Sequence, residues 1–296
     1  MGSSILNIGI SGLQSAQAGL LTTSHNISNA ATPGFNRQQI IQSTNMPHPK
    51  NNGFIGQGVQ VSTVQRIYNQ FLSTQALQTQ AQSSQLDSYY SEIKQIDNLL
   101  ADSTTGLSPA LQDFFNAVQN VAAQPASVPS RQALLSTAES LVGRFQNMDQ
   151  RFSEIRAGVN SQISTNVDEI NSLAGQVAKL NLNIQTAEGS AGGQPANDLR
   201  DQRDALIREL SQFIRVDVVR QDNGHHNVFV GNGQALVVGS QTMALKAVTS
   251  PDDPQRLTVA IDMGNKSVLL PERQLQGGSL GGLIAFREET LDNAQN

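Results

Sequence analysis

The chain has 296 residues, a formal net charge of −5, and neither cysteine nor tryptophan. The missing thiols exclude disulfides, thiolate metal sites and a cysteine nucleophile, and no basic run offers a cationic patch to nucleic acid or an anionic membrane surface. Aromatic residues make up only 4%, too few for one deep core, so the composition points to long helices that each bury a narrow apolar stripe.

Leu6, Leu13, Leu20 and Ile27 recur every seven residues, with Gly9, Ala16, Thr23 and Ala30 on the complementary seam. This alternation of large and small predicts an N-terminal helix whose seam admits a close partner helix. No lysine or arginine precedes Arg37, and several glycines interrupt the segment. With no ion pairs to hold it, it is expected to stay loose until it docks. The competing reading is an ordinary helix buried against the rest of the chain. The stretch also lacks the charged and apolar regions of a cleaved secretory signal, and no later stretch is long and apolar enough to span a bilayer.

Thr32-Pro33-Gly34 ends the helix near Asn29 to Ala31. An extended loop follows, marked by Pro47, Pro49, Asn51-Asn52-Gly53 and Gly56-x-Gly58, with short strands around Ile40 and Val59 to Val61. Helix is expected over about residues 62–100, started by Val64, Ile67 and Phe71 and continued by Leu86, Tyr89, Ile93, Ile96 and Leu100. Ser108-Pro109 supplies a cap and first turn for a short helix carrying Leu111, Phe114, Phe115, Val118 and Val121 on one face.

The longest element is expected over about residues 130–187. Leu134, Ala138, Leu141, Phe145, Met148, Phe152, Ile155 and Val159 keep one register, which slips near Ile163 and resumes at Ile170, Leu173, Val177, Leu180 and Ile184. Such a rod would measure roughly 85 Å, with Phe145 and Phe152 in its core. Asn197 caps another helix ending at Phe213. The period then changes to two, in a meander with turns at Asp222-Asn223-Gly224 and Gly231-Asn232-Gly233. Strands follow at about residues 257–262 and 268–270, and helix resumes near Ser279. The sequence stops inside that helical pattern, as expected of a fragment whose terminal helices have partners elsewhere.

The predicted fold class is mainly α: an elongated helical bundle with long coiled-coil helices, an N-terminal assembly helix and a small antiparallel β element. The expected divisions are an N-terminal assembly segment over residues 1–62, a long-helix bundle over 63–214, a β-rich insert over 215–276, and a returning, truncated helix over 277–296.

Candidate chemistry is thin. His225-His226 follows a turn glycine with no carboxylate cluster nearby, and reads as an exposed hairpin end rather than a metal pair. Asp198, Asp201 and Asp204 are interleaved with Arg200 and Arg203 in the first turns of a helix, where carboxylates suit the dipole. His25 and His48 show no partner, and Asp252-Asp253 reads as a surface loop. No nucleophile–base or paired-carboxylate arrangement emerges, so catalytic, cofactor and metal sites are expected to be absent and the chain is read as a non-enzyme.

Residues 24–38, Ser-His-Asn-Ile-Ser-Asn-Ala-Ala-Thr-Pro-Gly-Phe-Asn-Arg-Gln, closely resemble the N-terminal signature of the flagellar rod, hook and hook-associated protein family. That signature reads Asn-Asn-Ile-Ala-Asn-x-x-Thr-Pro-Gly-Tyr, so His25 and Phe35 are departures. Gly12-Leu13 and Ala16-Gln17 match as well. Gly58-Val59, Arg66-x-Tyr68-x-x-Phe71-Leu72, the run from Asn197 to Leu206, the run from Val230 to Val237, and Gly278-Ser279-Leu280-Gly281-Gly282-Leu283 are similar to the hook-associated branch found at hook–filament junctions. The resemblance implies an extracellular subunit exported through the flagellar type III channel without a cleaved signal, which assembles as a homo-oligomeric ring. Its implied partners are hook protein subunits, a second junction protein on the filament side, and an export chaperone reached through a C-terminal part. It implies no cofactor, nucleic acid or membrane, and it pairs the N-terminal helix with a C-terminal one. The expected assembly interface is Leu6, Gly9, Leu13, Ala16, Leu20 and Ile27 from the heptad, with Asn26, Asn29, Thr32, Pro33, Gly34 and Phe35 from the signature. Other readings are a hook or rod subunit, or a secreted coiled-coil effector or adhesin.

Overall fold

The computed structural model describes residues 2–50, 53–100, 107–221, 223–231, 233–264 and 266–295. Asn51, Asn52, Asp222 and Asn232, expected at turns, lie outside the described residues, as does the side chain of Leu100. The chain is mainly helical with small antiparallel sheets. Helix α1 (Gly2–Ser28) is followed by strands β1 (Gln38–Thr44), β2 (His48–Lys50), β3 (Gly53–Ile55) and β4 (Val59–Arg66). Helices α2 (Gln70–Leu100), α3 (Leu107–Ala123), α4 (Val128–Ser190) and α5 (Asn197–Phe213) come next. A four-stranded meander follows: β5 (Val216–Arg220), β6 (His226–Val230), β7 (Gln234–Val238) and β8 (Gln241–Thr242). A three-stranded sheet holds β9 (Leu245–Thr249), β10 (Leu257–Asp262) and β11 (Ser267–Leu269), with β10 central, and α6 (Gly278–Phe286) leads into a π-helical turn at Arg287–Leu291.

Two boundaries correct the sequence reading. Val64, predicted to open a helix, lies in β4, which pairs antiparallel with β1 across a bulge at Ile41/Gln42. The β-branched run Val59, Val61, Thr63 and Val64 fits a pleated surface better than a helix once β1 supplies the ladder. Helix begins only at Gln70, where Asn69 Oδ1 accepts from the Leu72 N–H at 3.2 Å. Helix α3 starts at Leu107, so Pro109 falls within its first turn, where a missing N–H costs nothing.

The 63 residues of α4 form one continuous helix. Its seam is buried from Phe152 through Val159, Ile163, Val167 and Ile170 to Ile184, including the register slip. Phe145 is 49% exposed and is not core. Further along, Ala174, Ala178 and the fully buried Asn181 widen the stripe, while Leu180 is only half-buried.

Two compact units share these elements. One contains the chain up to Gln78, Ser172–Leu210 and Val216–Met243; the other contains Thr79–Asn171, Ser211–Arg215 and the chain from Ala244. In the second unit, α6 packs through glycines. A Cβ on Gly282 would stand 2.4 Å from the Gln85 carbonyl oxygen, and Gly278, at φ +68°, would place one 2.2 Å from the Phe213 carbonyl carbon. This intimacy lets Tyr89 lie edge-on to Phe286 and bond its hydroxyl to Thr290 Oγ1 at 3.1 Å, whereas Tyr90 faces solvent. Gly282→Ala is therefore expected to lower stability by about 1–3 kcal/mol through overpacking, measured as a lower urea midpoint with unchanged helix content.

Candidate functional site

Helix α1 has two faces of opposite character. Ser11, Ser15, Ala18, Gly19, Thr22, His25 and Asn26 recur at helical spacing on the side that packs against β1 and β4. Ser15 is buried, Gly19 would bring a Cβ to 3.5 Å from Ile40, and Ser11 Oγ accepts from the Val59 N–H at 3.2 Å. The opposite side carries Ile5, Leu6, Leu13, Leu20, Leu21 and Ile27, each at least 61% exposed, with Gly9 and Ala16 between them. Among the described residues, the heptad positions thus form one exposed ridge without an apolar partner. Two sequence expectations change: the helix is not buried through its leucines, and it does find a partner within the chain, because the β1–β4 hairpin bonds its small polar face.

The signature residues form a different structure from the ridge. Asn26 exchanges two hydrogen bonds with the backbone of Gln38, donating to its carbonyl and accepting from its N–H, each at 2.8 Å. The Thr32 N–H donates to the Asn29 carbonyl, and the Phe35 N–H closes the Thr32-Pro33-Gly34-Phe35 turn on the Thr32 carbonyl. Gly34 sits at φ +85° with Ala205 Cβ only 3.1 Å from where a Cβ would be built. Glycine is required there twice, by the left-handed backbone and by the close approach of α5. Phe35 meets His25 edge-on at 5.4 Å.

Two of the three spaced aspartates of α5, Asp198 and Asp201, receive the residues flanking this turn, a role their sequence spacing does not reveal. Asp198 accepts from Gln38 Nε2 at 2.7 Å and lies 3.2 Å from His25 Nε2, which corrects the expectation that His25 has no partner. Asp201 accepts from the Asn36 N–H (2.8 Å), Asn36 Nδ2 (2.7 Å) and the Arg66 guanidinium (2.7 Å). The same guanidinium nitrogen lies 2.8 Å from Asp204. Arg66 and both carboxylates are nearly buried, so the charges are bound to one another. Tyr68 lies between the guanidiniums of Arg66 and Arg220, at 4.6 and 4.3 Å from the ring centre, a cation–π arrangement. A cleft of about 200 Å³ lined by Asn36, Tyr68, Leu72, Asp204, Arg220 and His226 opens beside it.

His225 and His226, expected at an exposed hairpin end, are both buried. The cause is Asn181 of α4, whose Nδ2 donates to the carbonyls of His226 and Gly239, while its Oδ1 accepts from the His226 N–H and from Arg203. Arg203 also donates to the Gly224 carbonyl at 2.8 Å. Burial pushes Arg203 down to about 10, still charged at neutral pH. Burial, with the fields of Arg203, Arg220, Arg66 and Arg200, pushes His226 down to about 2 and keeps it neutral. Among the described residues no cluster of three or more metal-ligating side chains occurs, and no helix is long and apolar enough to cross a membrane.

Comparisons with known proteins place these features in context. The family model of the flagellar hook-associated protein FlgK helical domain matches residues 93–296. The chain is 41% identical over 295 residues to flagellar hook-associated protein 1 of Escherichia coli (strain K12), covering 99% of this chain and 54% of the relative. It is 26% identical over 305 residues to the protein of that name from Bacillus subtilis (strain 168), covering 96% of this chain and 60% of the relative. The structure of the flagellar hook junction protein FlgK from Burkholderia pseudomallei is similar with a TM-score of 0.69 and 37% identity, over 75% of this chain and 40% of that one. The chain spans about half the length of the curated relatives it matches from Escherichia coli and Salmonella typhimurium.

Asp201→Ala removes three donors' acceptor and leaves Arg66 with Asp204 alone. It is expected to cost about 3–5 kcal/mol and to raise amide exchange over residues 30–38. His226 gives a pH test whose sign is fixed. The folded chain keeps it neutral down to about 2, while the unfolded chain protonates it near its ordinary value of 6.5. The unfolded state therefore takes up the extra proton, and the stability His226 contributes is full above that value and is lost as pH falls below it. The urea midpoint should fall from pH 7 to pH 5 in the parent chain and fall less in His226→Gln.

Proposed function

Because this chain belongs to the flagellar hook-associated protein FlgK family, we propose that it is a structural subunit of the bacterial flagellum, forming part of the junction between hook and filament. It catalyses no reaction; its work is to associate. Hook protein subunits lie on one side, a second junction protein lies on the other, and further copies of the chain complete a ring. The subunit leaves the cell through the flagellar type III route without a cleaved signal and functions outside it. An export chaperone engages the C-terminal part of the full-length protein.

The observation that carries this reading is the ridge of α1. Leu6, Leu13, Leu20 and Ile27 lie on one uncharged helix face, each more than half exposed. A Cβ added to Gly9 or Gly12 would meet nothing within 4 Å, so another helix can approach closely there. Burying four such side chains supplies about 6–12 kcal/mol before ordering is subtracted, enough for one substitution to decide assembly. The partner helices come from neighbouring copies and from the C-terminal half of the full-length protein, packed as a coiled coil. The turn docked on α5 fixes the direction in which the ridge is offered.

Leu13→Asp is expected to leave the purified chain folded, with unchanged circular dichroism, because the side chain is 61% exposed. In a strain carrying it as the only copy, electron microscopy should show hooks without filaments, with flagellin shed into the medium. Filaments of normal number and attachment in that strain would overturn the assignment of the ridge to assembly.

A further inference from the structure

Three exposed residues of α4 stand in line with its buried seam. Val128, Leu135 and Val142, spaced by seven, are 73%, 58% and 55% exposed, and Phe145 beside them is 49% exposed. Steps of seven carry the first row on through Asp149 and Arg156 to Ile163 and Ile170, and carry Phe145 on through Phe152 and Val159 to Asn166. Phe152, Val159, Ile163 and Ile170 are all buried. Residues seven apart share one face of a helix, so a single two-row seam runs along α4, closed from Phe152 onward and open before it.

The closed stretch is the one that α6 and its continuation accompany, all within the second unit. Asn166 Nδ2 donates to Ser279 Oγ in α6 at 3.0 Å. Arg156 lies 3.7 Å from Asp292, the first residue of the short helix α7 (Asp292–Gln295). As the chain advances from Ser279 to Asp292, its partners on α4 retreat from Asn166 to Arg156. The α6–α7 segment therefore runs antiparallel to α4 and heads for the open end of the seam. From Arg156 to Val128 that end measures about 42 Å. A Cβ built on Gly143, next to Val142, would meet nothing within 4 Å, so a helix can come close there.

We propose that in the full-length protein the segment continuing α7 stays helical, runs antiparallel along α4 and closes this seam over Val142, Leu135 and Val128. This chain covers 54% and 53% of its relatives from Escherichia coli and Salmonella typhimurium, so a protein of their length has ample chain for it. A segment already aligned beside Arg156 reaches the seam as an intramolecular partner, whereas the α1 ridge of a second copy would have to be recruited from solution. The inference rests on the length of the relatives and not on the junction reading, so its failure would leave that reading standing.

The parent chain has no cysteine, which makes single-cysteine variants clean reporters. Leu135→Cys lies on the seam, and Ser140→Cys, at an exposed position on the opposite side of α4, is the control. Maleimide alkylation is timed in the 296-residue chain and in the full-length protein. In the full-length protein Leu135→Cys should react about tenfold more slowly than in the shorter chain, while Ser140→Cys reacts equally fast in both. Leu135→p-benzoylphenylalanine in the full-length protein, irradiated and mapped by mass spectrometry, should attach within one chain to a peptide about 20–30 residues beyond Asp292. Equal alkylation rates for Leu135→Cys, slowing that grows with protein concentration, or attachment to another chain or to a distant peptide would each overturn the proposal.

Discussion

A guanidinium that is 7% exposed cannot be left without counter-charges, and Arg66 has two, Asp201 and Asp204, within 2.8 Å. Because one partner sits at the end of β4 and the others one turn apart on α5, the pairing fixes the strand against the helix in a single register. Asp201 then uses its remaining lone pairs on the backbone and side chain of Asn36, which ties the residue just after the signature turn to the same point. A buried ion pair of this kind contributes little net stability beside a well-packed apolar alternative, yet breaking it is costly. Its effect is to penalise every other placement of the N-terminal segment.

Sterics reinforce that electrostatic constraint. Ala205, one residue beyond Asp204, sits against Gly34 where any larger residue would hold the turn off the helix. On the other side of the hairpin, Gly58 at φ +87° would drive a Cβ to 2.2 Å from Ser11 Oγ, the atom that accepts from the Val59 N–H. Charge pairing therefore sets which elements meet, and two glycines set how closely they approach.

Periodicity carries the long elements. The heptad of α1, the register slip in α4 and the strand of residues 257–262 are all legible, since each depends on neighbours within a few turns; Asn197 does open α5 but does not cap it, because its Oδ1 bonds no backbone N–H and its Nδ2 donates to the Val64 carbonyl. The row Asp198, Asp201 and Asp204 shows where that legibility ends. Its spacing reads as a helix-dipole feature, because the groups it binds are 165 and 135 residues away in sequence. The start of β4 at Val59 to Val61 is legible, but its far half escapes the sequence for a related reason: the spacing of Val64, Ile67 and Phe71 is helical, and only pairing with β1 makes a strand of Val64. His225 and His226 follow a correctly placed turn, but their burial depends on Asn181 of α4, a polar residue on a face that the apolar pattern assigns to Leu180.

The division of α1 into two faces explains why so apolar a ridge is left in water. A helix rolled to bury Leu6, Leu13 and Leu20 on the hairpin would separate Asn26 from the Gln38 backbone, leaving a carbonyl and an N–H without their partners at a cost of about 1–3 kcal/mol each. It would also lift Ser15 and Gly19 out of a contact shaped for small residues, and replace them with side chains for which the distance to Ile40 leaves no room. Hydrogen-bond geometry on one side thus enforces exposure on the other. The ridge is held outward by specific polar contacts, so that it stays off the hairpin.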